Sequence, residues 1–174
     1  MFILICGGNG SGKSHVAELI SSQIDRPRYY AATMIPFGAE GEARKAKHIK
    51  ARAGLGFYTV ECPYNLSDVE CEKRSLVLLE DLSNLLANGM FGCTPPLDAE
   101  GAMSQVRALH ARCEYLLAVT IAGLTGEGCD ESTRDYVAKL NELNGMCASL
   151  ADVVIEMRSG KACVLKGECP WVLG

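Results

Sequence analysis

Apolar and polar positions follow two rhythms along the chain. Short apolar runs, "FILIC" (2–6), "SLVLLE" (75–80), "YLLAVTIAG" (115–123) and "DVVIEM" (152–157), have the length and branched content of strands buried on both faces. Between them apolar residues recur every three or four positions, the helical period. "GKSHVAELISSQI" puts Val16, Leu19, Ile20 and Ile24 on one stripe, and "LSNLLANGMF", "AEGAMSQVRALHARC" and "STRDYVAKLNELNGMCASLA" also read as helices. "RYYAA" (28–32) and "FYTVE" (57–61) add two strands with the charged helix "EARKAKHIKAR" between them, and "KACVLKG" after "RSG" predicts a closing hairpin. Strands alternating with helices predict an α/β fold, a mostly parallel sheet flanked by helices. No repeat, low-complexity tract or linker interrupts it, so residues 1–174 are expected to form a single domain.

Composition narrows this picture only slightly. With 48% hydrophobic residues the chain can fill one core, and a net charge of −4 gives no hint of a nucleic-acid surface. Nine cysteines are many, but none are spaced C-x-x-C and their number is odd. They are expected to be reduced thiols of a cytoplasmic protein, several of them acting as small buried hydrophobes, with no zinc site or disulfide framework. The opening apolar run is too short for a signal peptide, and no stretch reaches the length of a membrane span.

The chemistry begins where the first strand ends. Gly7, Gly12, Lys13 and Ser14 satisfy G-x-x-x-x-G-K-[ST] between a predicted strand and a predicted helix. Such a loop, Gly7, Gly8, Asn9, Gly10, Ser11, Gly12, Lys13 and Ser14, turns backbone N–H groups inward around a nucleotide's phosphates at a helix N-terminus. Lys13 would add a charge at the β- and γ-phosphates, and Ser14 a hydroxyl for Mg2+. "SLVLLED" brings Glu80 and Asp81 to the carboxyl edge of the sheet, where a carboxylate could hold Mg2+ or activate a hydroxyl. Glu80 is the expected participant, while Asp81 serves equally well as the cap of the next helix.

Residues 44–52, "RKAKHIKAR", concentrate positive charge in an acidic chain. Arg44, His48 and Arg52 are four apart and share one helix face. Two guanidiniums favour a neutral imidazole between them, which could attack a nucleotide α-phosphate. On the residues alone, a solvated charged face is the plainer reading. His110 is given no role, and the tail "GECPWVLG" reads as a packed C-terminus.

Taken in order, the phosphate loop, "YYAAT", R-x-x-x-H-x-x-x-R, F-x-T-x-E-x-P ("FYTVECP"), "LLED" and "LNELN…LADVV" resemble one family. It is the bifunctional adenosylcobinamide kinase/adenosylcobinamide-phosphate guanylyltransferase family of cobalamin biosynthesis, and the likeness spans nearly the whole chain. The resemblance implies a RecA-like P-loop fold, GTP or ATP and Mg2+ at the loop, a corrinoid (adenosylcobinamide) as acceptor, and a homotrimer. It also implies phosphorylation of the acceptor, then GMP transfer from GTP through a guanylylated His48. Arg44 and Arg52 would hold the triphosphate, Thr33 would open a loop near the nucleotide, and Glu61 and Glu80 would be the family's carboxylates. The chain departs from the family pattern in places: Gly10 stands for a usual arginine, Ala53 for a common proline and Phe57, after one extra residue, for a usual tryptophan, and Ile121-Ala122-Gly123 follows "LLAVT" where Asn-Glu-Val-Gly is typical. A P-loop kinase of another small molecule, or a nucleotide-binding relative without catalysis, remains open beside this reading.

Overall fold

The structure is a computed structural model that describes residues 1–173; the side chains of Glu40, Arg44, Lys45, Lys47, His48, Ala51 and Arg52 lie outside the described residues. In chain order the elements are β1 (Phe2–Gly7), α1 (Lys13–Ser22), β2 (Arg28–Ala32), α2 (Gly38–Arg52), β3 (Phe57–Glu61) and β4 (Leu76–Glu80). They continue with α3 (Leu82–Gly92), α4 (Ala99–His110), β5 (Tyr115–Ile121), α5 (Glu131–Leu150), β6 (Val153–Arg158) and β7 (Lys161–Lys166). The strands form one seven-stranded sheet in the order β3-β2-β4-β5-β1-β6-β7. Every pairing is parallel except β6 with β7, the closing hairpin, which turns through Ser159 and Gly160 at positive φ.

Alternation along each strand divides the core in two. Ile3, Ile5, Leu76, Leu78, Leu117 and Val119 face α1, whose Val16, Ala17 and Ile20 are buried against them, as is Ile24 just beyond the helix end at Ser22. Phe2, Leu4, Val77, Leu79, Leu116 and Ala118 face α3, α4 and α5. The sheet is therefore covered on both sides, as an apolar parallel sheet must be. None of the described side chains of α2 is buried, and Ile49 is half exposed.

The helix predicted through Cys113 stops at His110, because Ala111 and Arg112 close a turn onto Arg107 and Leu109 that feeds β5. A short 3-10 turn, Leu66–Asp68, was not expected; Asn65 caps it and Leu66 is buried. Cys62, Cys113 and Cys147 sit in the core, where burial pushes each thiol up to about 12. His110 packs against the Phe2 ring at 5.6 Å. The tail returns to α1: Gln23 exchanges two hydrogen bonds with the Val172 backbone, and Trp171 stands edge-on to Tyr115 at 6.0 Å. Among the described residues no helix is long and apolar enough to cross a membrane.

Candidate functional site: the phosphate loop and the carboxylate behind it

At the end of β1 the chain turns sharply beside β6. A Cβ on Gly7 would stand 2.8 Å from the Met157 carbonyl and 2.9 Å from Ser11 Oγ, so only glycine fits this approach. Gly10 (φ 67°) and Gly12 (φ 95°) take left-handed conformations, and Gly12 opens α1 without a side-chain cap. A Cβ on Gly8 or Gly10 would meet nothing within 4 Å, which leaves an open cradle in front of the helix N-terminus. Asn9 is exposed in the same turn. Lys13 is buried and donates from Nζ to the Gly8 carbonyl at 2.6 Å. Burial pushes its ammonium pKa down, while the Asp81 and Glu80 carboxylates hold it up. Ser11 Oγ is buried with no hydrogen-bond partner among the described residues. An orphaned hydroxyl, an amine inside the loop and uncapped helix N–H groups all fit a phosphate, whose oxygens would satisfy them.

The β4 pleat turns Glu80 toward α1. Ser14 Oγ donates to Glu80 Oε1 in a short hydrogen bond, and the Tyr30 hydroxyl donates to Oε2 at 2.9 Å. β5 lies between β1 and β4, so Glu80 meets the loop only because α1 packs across β1, β5 and β4 together. A hydroxyl and a carboxylate side by side are oxygen donors that suit Mg2+. Among the described residues there is no three-ligand His/Cys/Asp/Glu cluster, so a cation here would rest on Ser14, Glu80, phosphate oxygens and water.

Asp81, one residue on, has another task. Its Oδ1 accepts from the Asn84 N–H at 2.7 Å and the Ser83 hydroxyl at 2.6 Å, capping α3. Burial raises its pKa, opposed by the Ser83 and Asn84 hydrogen bonds. Thr33 is fully buried, and its hydroxyl is engaged by the Asp81 backbone, accepting from N at 2.7 Å and donating to O at 2.9 Å. Glu61 ends β3 in register with Ala32, two strands or about 10 Å from Glu80. The sequence positions of Arg44, His48 and Arg52 fall within α2, but their side chains lie outside the described residues.

On the other flank, Ala122 N–H donates to the Gly7 carbonyl at 3.1 Å, which ties the loop after β5 to the phosphate loop. Asn144 of α5 holds that strand end, accepting from Thr120 Oγ1 at 2.7 Å and donating to the Ile121 carbonyl at 2.9 Å. Sequence reasoning missed Tyr30 and Asn88. Asn88 is one of two asparagines among the apolar residues of α3, with nothing local to single it out, and its Nδ2 donates to the Thr33 carbonyl at 2.7 Å and the Pro63 carbonyl at 2.9 Å.

Comparison with known proteins places this geometry. No curated protein is similar to the chain. A solved structure from Pyrococcus horikoshii OT3, known from a structural study, shares the fold with a TM-score of 0.55 at 11% identity, over 97% of this chain and 87% of that one. A prototypical ATPase from the type III secretion system of pathogenic bacteria aligns at 13% identity with a TM-score of 0.47, over 89% of this chain and half of its own. The family model for cobinamide kinase / cobinamide phosphate guanyltransferase matches residues 3–165. That match runs from the first strand through the phosphate loop, both carboxylates and the last helix into β7, so the chain belongs to the cobinamide kinase / cobinamide phosphate guanyltransferase family.

Proposed function

We propose that this chain phosphorylates the aminopropanol hydroxyl of adenosylcobinamide and then transfers GMP from GTP to adenosylcobinamide phosphate, with His48 as the covalent carrier. The observation that supports a phosphoryl-transfer site best is the pairing of Ser14 with Glu80 beside an open phosphate cradle. In the first step the loop amides and Lys13 hold the β- and γ-phosphates of ATP or GTP. Mg2+ at Ser14 and Glu80 would neutralise charge that builds on the transferred group. Glu80 orients the acceptor hydroxyl. The hydroxyl oxygen of the acceptor bonds to the γ-phosphorus, the bond to the nucleoside diphosphate breaks, and the hydroxyl proton leaves with base or water.

In the second step a nitrogen of His48 attacks the α-phosphorus of GTP and pyrophosphate departs. Arg44 and Arg52 hold the triphosphate during this attack. A phosphate oxygen of adenosylcobinamide phosphate then displaces His48, giving adenosylcobinamide-GDP and free imidazole. Thr33 and Glu61 border the nucleotide corner in this reading, the protein is cytoplasmic, and the catalytic unit is a homotrimer. An α2 with none of its described side chains buried supports such an assembly.

The test is covalent labelling. Incubation with Mg2+ and GTP labelled at the α-phosphate, followed by denaturation, is expected to leave an acid-labile, base-stable adduct on the wild type and none on His48→Ala. GTP binding without an adduct would overturn the guanylyl-histidine step.

A further inference from the structure

We infer that Asn88, a residue that touches neither nucleotide-side carboxylate, is a positioning residue for Glu80 and through it for the divalent cation. The inference rests on the reading of Glu80 as the cation-side carboxylate. Asn88 belongs to a closed ring of bonds. Asp81 caps α3 through Asn84 and Ser83; α3 carries Asn88 two turns on; Asn88 Nδ2 donates to the Thr33 carbonyl; and Thr33 Oγ1 returns to both the N–H and the carbonyl of Asp81. The Thr33 N–H also donates to the Glu80 carbonyl at 3.1 Å. The backbone on either side of Asp81 is thus gripped by one threonine, and that threonine is gripped by one amide.

The same Nδ2 donates to the carbonyl of Pro63, two residues beyond Glu61, while Cys62 N–H donates to the Ala32 carbonyl at 2.8 Å. One NH2 group therefore gathers the carboxyl ends of β2 and β3 over the end of β4. Carbonyls enclosed in this way need donors, and the Asn88 amide reaching from α3 serves two at once. Removing that donor takes a hydrogen bond from both the Thr33 and Pro63 carbonyls, and they relieve this by parting toward water. The displacement passes to Thr33, then to the Glu80–Asp81 backbone, and so to the carboxylate that meets Ser14. The phosphate loop itself hangs from β1, which pairs with β5 and β6, and it meets this chain of bonds at Ser14.

The arrangement gives a test that does not depend on turnover. Binding of a fluorescent GTP analogue is measured in EDTA and across a Mg2+ titration for wild type, Asn88→Leu, Thr33→Val and Thr33→Ser, each checked for a wild-type circular dichroism spectrum. In EDTA wild type and Asn88→Leu are expected to bind within about twofold of each other, and each Thr33 variant is referred to its own affinity in EDTA. The Mg2+ midpoint is expected to rise about tenfold in Asn88→Leu and Thr33→Val, the scale typical of residues that orient metal ligands, and to return to wild type in Thr33→Ser, which keeps the hydroxyl. Wild-type Mg2+ midpoints in folded Asn88→Leu or Thr33→Val overturn the inference. Mg2+ having no effect on wild-type binding overturns instead the reading of Glu80 beneath it. Should Asn88→Leu not fold, the Thr33 pair decides the matter by itself.

Discussion

The two strand ends that flank the phosphate strand's neighbourhood differ sharply. At the end of β4, Glu80 and Asp81 are each fully engaged, one by Ser14 and Tyr30, the other by the start of α3 and by Thr33. At the end of adjacent β5 the chain carries Ile121, Ala122, Gly123 and then a half-exposed Leu124, and a backbone bond from Ala122 ties it to the phosphate loop. Charge handling is thus concentrated on the β4 side, and the β5 side offers shape and apolar surface. A polar network of this kind fixes a reacting group's position, whereas an apolar loop fixes only what fits beside it.

The strongest way to break the comparison is at Lys13, which serves the phosphates directly. Lys13→Ala is expected to lower turnover about 10²- to 10³-fold, the loss typical of one donor that stabilises developing charge, as read by steady-state kinetics. Next comes the pair of neighbouring carboxylates. Asp81→Ala should cost about 1 kcal/mol of unfolding free energy through the lost helix cap, while Asp81→Asn keeps an acceptor for Asn84 and should cost less. The sign with pH follows from the raised Asp81 pKa. A carboxyl whose pKa is higher folded than unfolded binds more protons in the native state, so its contribution to stability falls as pH rises through the window between the two values. The Asp81→Asn variant should show a flatter stability profile across that window in denaturant titrations. The smallest effect is expected on the β5 side. Ile121→Asn with Ala122→Glu would place polar groups beside the phosphate loop, shifting the acceptor KM a few-fold while leaving nucleotide affinity within about twofold.

These contrasts were unevenly legible in the sequence. The phosphate loop was readable because its geometry is local: glycine conformations, a lysine and a helix N-terminus lie within eight residues. The strand order was only partly implied, and β5 lying between β1 and β4 depends on which apolar runs pair. Glu80 and Asp81 are adjacent letters whose different fates arise from the pleat and from where α3 begins, and "LED" carries neither fact. Tyr30 and Asn88 were illegible for a related reason. Their partners are 50 and 55 positions away, so each looks like an ordinary member of an apolar element until the strands are brought together.

The packed tail has a consequence of a practical kind. The Met1 ammonium donates to the Glu114 carbonyl at 2.6 Å, and Trp171 rests on Tyr115, the very next residue. Both ends of the described chain therefore meet at the start of β5, while the phosphate loop opens from the far end of the six-residue β1, about 20 Å away. A short peptide joining residue 173 to Met1, with new ends cut elsewhere, would give a circularly permuted protein whose nucleotide corner keeps all its neighbours. Reporter domains fused at either end would likewise stand on the side of the sheet away from the chemistry.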